Sequence, residues 1–155
     1  MKIATISFCL KDNEILLGMK KLGFGAGKWN GFGGKVEESE EIKSAAAREI
    51  FEESTLQVEE AALEQLAILQ FYFESEHVFE CHVFLVKQWQ GNAKESEEMR
   101  PEWHLIDNLP FDEMWEADRK WMPLILSGKK IEGIVNFNVD GSEVKNFSYK
   151  EVKFN

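Results

Sequence analysis

The chain has 155 residues, 44% hydrophobic and 12% aromatic, enough to bury a real core and most simply read as one domain covering 1–155. Its net charge of −10 argues against nucleic-acid polymers or a membrane surface as partners, since both call for broad basic patches. Residues 1–10 are too short and too polar for a signal peptide and no run is long enough to span a bilayer, so a soluble, cytoplasmic, monomeric protein is expected. Cys9 and Cys81 lie in apolar, strand-like runs and read as two buried free thiols.

Lys2 to Leu10 and Glu14 to Met19 are β-rich runs joined by Lys11, Asp12 and Asn13, a good hairpin turn. Alternation in the first run is rough, which suits a strand covered on both faces. Leu22 to Gly34 is glycine-rich with interleaved aromatics and lysines. It does not match the spacing of a P-loop, and it looks more like a binding loop than a linker. From about Glu40 to Ser54 there is no Pro or Gly. Ala45, Ala46 and Ala47 favour a helix, and a Glu-rich first turn suits the positive end of its dipole. Val58 to Glu64 reads as an acidic connection, and Leu66 to Phe73 with Val78 to Trp89 as a hairpin. Gly91 to Pro101 reads as a loop and Glu102 to Asp107 as a short strand. A second helix is expected from Asp118 to Leu126, stopped by Ser127-Gly128, and Ile131 to Asn138 with Glu143 to Val152 forms a closing hairpin. Strands on both sides of two helices predict an α/β (α+β) fold, a mixed sheet sandwiched between helices. The histidines, His77, His82 and His104, lack metal-ligand spacing and read as structural or surface groups.

The informative stretch is Asn30 to Leu56. On a helix Glu49, Glu52 and Glu53 share one face, while Ala46, Ala47 and Ile50 offer an apolar stripe beside it. Three like charges at that spacing repel, and a hard divalent cation would remove the penalty. Mg²⁺ takes carboxylate oxygens, keeps several waters and shares its shell with phosphates. A solvated acidic face is the bland alternative. Against it stand Gly33-Gly34 just upstream, Glu40 at the helix start, and Arg48, placed to pair with Glu52 one turn on.

Gly34, five residues, Glu40, seven residues, then Arg48-Glu49-Ile50-Phe51-Glu52-Glu53 resembles the Nudix box, the signature of the Nudix hydrolases. Thr55 departs from it: the family has a glycine there, a left-handed helix cap that is costly for a β-branched residue. Leu16 to Gly34, His82-Val83-Phe84, Glu97 to Pro101 and Pro110 to Trp115 extend the likeness to the MutT-homologue oxidised purine nucleoside triphosphatases, the 8-oxo-dGTP diphosphatases that sanitise the nucleotide pool. The resemblance implies Mg²⁺, with Mn²⁺ as a substitute, held by the Gly33 carbonyl, Glu49, Glu52 and Glu53, with Glu98 as a further carboxylate. It implies a base pocket containing Thr5, Lys20, Phe24, Asn30, Phe71, Phe73, Phe79, Trp115 and Asp118. Phe79 stands where the family has methionine. Ala117 stands where it has the first of two adjacent aspartates, which leaves Asp118 alone to read the purine edge.

The implied chemistry is attack of water on a metal-bound nucleoside triphosphate, releasing monophosphate and pyrophosphate. Glu53 or Glu52 is the principal metal ligand, Glu98 or Glu53 the base, and Arg48 orients the carboxylates. Two alternatives stay open: a Nudix pyrophosphatase for another nucleotide, favoured by Ala117, and a non-catalytic nucleotide-binding module, opposed by the intact glutamates.

Overall fold

The computed structural model describes residues 1–155. The strands are β1 (Lys2–Lys11), β2 (Glu14–Lys20), β3 (Trp29–Asn30), β4 (Leu63–Phe73), β5 (Glu76–Val86), β6 (Met99–Leu105), β7 (Ile131–Phe137) and β8 (Val144–Glu151), and the helices are α1 (Ile42–Ser54) and α2 (Asp118–Leu126). They form one mixed sheet in the order β6-β2-β1-β5-β4-β7-β8, with β3 beside the far end of β2. β1 pairs parallel to β5 and β4 parallel to β7, and the other pairings are antiparallel.

The period-two side-chain pattern assigns each strand residue to one of two cores. Phe8, Ile15, Leu17, Val83 and Leu85 pack on the α2 side with Trp121, Met122 and Ile125. Their chain neighbours Cys9, Leu16, Phe84 and Val86 pack on the α1 side with Ala46 and Ile50. The central strands are therefore covered on both faces, which explains why β1 alternates so loosely. Cys9 and Cys81 are buried free thiols, as expected.

Several boundaries differ from the sequence reading. Helix α1 begins at Ile42 with Glu41 as its cap, so no acidic residue lies in the first turn. Glu40 is instead drawn out of the helix by Arg48, which holds its carboxylate from two nitrogens at 2.8 and 3.0 Å. β6 starts at Met99, inside the expected loop, and pairs along β2 through Pro101 opposite Gly18. An edge strand tolerates a proline because its outward side needs no donor. β5 spans Glu76–Val86 instead of Val78 to Trp89, and a short 3-10 turn at Glu60–Ala62 breaks the acidic connection.

Thr55 does adopt the left-handed cap, at φ 66° and ψ 2°. Its N–H donates to the Phe51 carbonyl and its hydroxyl donates to the Asn92 carbonyl at 3.0 Å. That side-chain bond, worth about 0.5–1.5 kcal/mol, offsets much of the 1–2 kcal/mol a left-handed conformation costs a residue with a Cβ.

Candidate active site

The site forms where β1 and β2 separate. β3 follows β2 with Gly18 opposite Asn30, and the chain then crosses to β1. Phe32 and Ser7 exchange two backbone hydrogen bonds, and the Thr5 N–H donates to the Gly34 carbonyl at 2.9 Å. Glycine is required on this crossing. A Cβ at Gly33 would overlap the Thr5 carbonyl oxygen, and one at Gly34 would press on the Glu49 carboxylate. The strip therefore lies tight against β1 and faces the C-terminal half of α1.

Burial of the three helix carboxylates is graded. Glu53 is 1% exposed, and its Oε1 accepts the Gly33 N–H at 2.8 Å. Burial pushes its carboxyl up to about 8, against the pull of that N–H, and the charges of Glu49 and Glu98 push the same way. Glu49 is raised as well, by desolvation first and by Glu52 and Glu98 after it, with Arg48 opposing. Glu52 is exposed and meets Arg48 only loosely, at 3.3 Å. The expected Arg48–Glu52 pair is thus the weaker part of a larger arrangement. Arg48 binds Glu40 with two nitrogens, Glu49 at 2.9 Å and the Lys35 carbonyl at 3.2 Å. The Arg48 bonds, with the Glu37 N–H at 3.0 Å, hold the Glu40 carboxyl down at about 2.

The donor set here is all oxygen: the carboxylates of Glu49, Glu52, Glu53 and Glu98 and the Gly33 carbonyl, which takes up no backbone hydrogen bond. Such a set suits a hard cation. No three of these carboxylates are gathered closely enough to hold a cation by themselves; Glu52 meets Arg48 at the helix surface, and Glu98 sits on the exposed turn before β6. An open site of this kind fits Mg²⁺, which keeps waters and recruits substrate phosphates as ligands.

All nine residues expected in the base pocket line one cleft, together with Gly33 and Glu53. The aromatic wall is Trp115 with Phe24 at 5.0 Å between ring centroids, and Phe73 and Phe79 within 6.1 Å of Phe24. Phe24 is 64% exposed and roofs the cleft from the glycine-rich loop, with Lys28 placed 5.3 Å over the Trp115 ring. Asp118 opens α2 inside the cleft and is 4% exposed. Its Oδ1 accepts the Trp121 indole N–H at 3.2 Å, and its Oδ2 is buried without a partner. Burial pushes this carboxyl up to about 8, against the opposing pulls of the Trp121 bond, a backbone bond and the Lys28 charge. Ala117 is fully buried in the α2 core and does not line the cleft.

Sequence reasoning missed Phe137, Met99 and Cys81, which also line the cleft. Phe137 stacks on Phe73 at 5.0 Å and on Phe71 at 6.0 Å. Only the pairing of β7 with β4 places it there, opposite Phe73. Of the histidines, His82 bonds Glu80 and Gln65, His77 bonds Gln70, and His104 packs on Trp29. All three are structural.

A helix whose innermost carboxylate is buried against a glycine strip thus stands beside an aromatic cleft. The NUDIX domain model matches residues 1–125, and the chain belongs to the Nudix hydrolase family. It is 44% identical over 137 residues to the oxidized purine nucleoside triphosphate hydrolase of Danio rerio, covering 88% of this chain and 86% of that one. To the mouse (Mus musculus) protein of the same name it is 42% identical over 152 residues, covering 97% and 96%. Among solved structures, a MutT protein from Bacillus halodurans superimposes with a TM-score of 0.80 at 22% identity, over 96% of this chain and 97% of that one. At that identity the likeness concerns the fold alone. No helix is long and apolar enough to cross a membrane.

Proposed function

We propose that this chain hydrolyses oxidised purine nucleoside triphosphates to the monophosphate and pyrophosphate, with Mg²⁺ as the cation and all 155 residues acting as one domain. The reading is supported by the names of its relatives in zebrafish and mouse. The observation that carries it is Asp118: a buried carboxyl with one oxygen fixed by Trp121 and the other free, aimed into an aromatic cleft whose opposite end is Glu53. A free, protonatable carboxyl oxygen reads the donor and acceptor edge of a purine, and a site built on such a group discriminates strongly against bases that leave it unpaired.

Phe24 and Trp115 already touch, so the base lies along these rings, with Phe71, Phe73 and Phe79 closing the apolar side and Thr5, Lys20 and Asn30 the polar rim. Mg²⁺, when bound by Gly33, Glu49, Glu52 and Glu53, supplies charge neutralisation to the triphosphate and acidifies water. Glu53 is fixed by Gly33 and shut away from solvent, which suits a ligand. Glu98 is exposed beside it and suits the group that accepts the proton of the attacking water. Arg48 holds Glu49 in place through a bond buried on one side by Glu40.

The test is pyrophosphate release with Mg²⁺ from 8-oxo-dGTP, 2-hydroxy-dATP, dGTP and dATP, alongside Glu53→Gln. We expect an oxidised nucleotide to turn over at least about tenfold more efficiently than its parent, and Glu53→Gln to lose at least about a hundredfold. Equal cleavage of all four nucleotides would favour the second reading, a Nudix pyrophosphatase for another nucleotide, for which the specific observation is that Ala117 adds no polar group to the cleft and leaves Asp118 the one aspartate lining it.

A further inference from the structure

The turn before β6 is stitched to the end of α1 by a residue that neither the metal site nor the base pocket contains. The Ser96 hydroxyl donates to the Glu53 carbonyl at 3.0 Å, and the same oxygen accepts the Met99 N–H at 3.1 Å. The Ser96 N–H donates to the Met99 carbonyl at 2.9 Å, closing a tight turn over Glu97 and Glu98. Around it, the Lys94 N–H donates to the Ser54 carbonyl and the Lys21 N–H to the Glu98 carbonyl, and Lys21 forms an ion pair with Glu95. The Glu53 carbonyl lies in the last turn of α1, where no intrahelical donor reaches it. The bond from Ser96 therefore fixes the turn to the backbone of the residue whose carboxylate lies innermost in the site.

We propose that Ser96 is a positioning residue: it sets the Glu98 carboxylate beside Glu49 and Glu53 by fastening the turn to the α1 carbonyl. This rests on the role given to Glu98 above. Groups that orient the ligands of a metal site are commonly worth about 10–100-fold in metal affinity or activity, and Ser96 bonds the backbone of one such residue, Glu53. A mere helix cap would lower stability and leave the rate per folded molecule alone, so rate and stability are read separately.

The experiment is a double-mutant cycle of Ser96→Ala and Glu98→Gln in the full chain, with kcat and KM measured on the preferred nucleotide and Ser96→Thr as the conservative variant. Amide hydrogen exchange is followed on the metal-free, nucleotide-free protein. We expect Ser96→Ala to lower kcat about tenfold or more with KM within about twofold, Ser96→Thr to restore it, and the double variant to be no slower than Glu98→Gln alone. Exchange at the Lys21, Lys94 and Met99 amides should quicken about tenfold, while the Thr5 and Gly33 amides keep their protection. If Ser96→Ala does not fold, Ser96→Cys, a far weaker donor, takes its place in the same cycle. A kcat within twofold of the parent, or losses that simply multiply, overturns the proposal while leaving Glu98 its role. Should Glu98→Gln keep the parent rate, the assignment of Glu98 fails and the positioning role falls with it.

Discussion

Replacing Asp118 with Asn tests the electrostatics of the base pocket directly. The carboxyl is buried, and burial pushes it from 3.8 up to about 8. The folded chain thus keeps a proton that the unfolded chain releases near pH 4. The stability due to that proton is fully present below pH 4 and is lost as pH climbs through about 8. A shift of this size corresponds to on the order of 5 kcal/mol, at about 1.4 kcal/mol per unit. Asn has nearly the same shape, its carbonyl can still accept the Trp121 N–H, and it does not ionise. In denaturant titrations with chelator present, the variant should already be ahead by about 1–2 kcal/mol at pH 5, where the unfolded carboxyl has released its proton. At pH 9 Asp118→Asn should be the more stable by several kcal/mol. Some slope remains in the variant, because Glu53 is also pushed up to about 8. Parallel pH profiles for the two proteins would refute the idea that Asp118 is neutral in the folded pocket. Activity adds a second readout: the variant can no longer switch between donating and accepting at that oxygen, so discrimination between oxidised and normal purines should fall at least about tenfold.

Gly33→Ala should cost several kcal/mol or abolish folding, because its Cβ would occupy the space of the Thr5 carbonyl, a backbone atom that cannot swing aside; thermal melts check this, and a Tm within a few degrees of the parent would contradict it. Phe137→Ala removes a ring 2% exposed and stacked on Phe71 and Phe73. It should cost about 3–5 kcal/mol of stability and raise KM more than it lowers kcat, since the ring backs the base pocket and lies away from the carboxylates.

What was legible in the sequence was what local chemistry dictates. β-rich runs bounded by turn residues marked the strands, the Pro- and Gly-free run marked α1, and the spacing of Glu49, Glu52 and Glu53 put three carboxylates on one helix face. What it could not yield was decided between segments distant in the chain. Arg48 could reach Glu52 by helix geometry alone; its preference for Glu40 depends on how the loop before the helix folds back. Phe137 enters the cleft only because β7 docks parallel to β4, a pairing with no local signal. Ala117 reads as a substitution in the binding site, yet tertiary packing buries it in the α2 core, outside the cleft lining. Met99-Arg100-Pro101 reads as the end of a polar, acidic loop, and becomes strand because the only neighbour it needs is on one side.

The two ends of the cleft share one physical device. Glu53 and Asp118 are both buried and both pushed up to about 8, Glu53 bonded by the Gly33 N–H and Asp118 by the Trp121 indole. Their fates on substrate binding are opposite. At the α1 end a divalent cation would favour the ionised carboxylate, so binding there should expel a proton. At the α2 end there is no cation in contact with Asp118, and Lys28 acts only from a distance. A purine edge that offers an acceptor therefore keeps the proton on Asp118, and one that offers only donors drives it off. Proton release measured calorimetrically in buffers of different ionisation enthalpy separates the two ends. Metal alone should release up to one proton per chain near pH 7, and the count on adding nucleotide should depend on the base. With Asp118→Asn that dependence on the base should vanish while the metal-linked release remains.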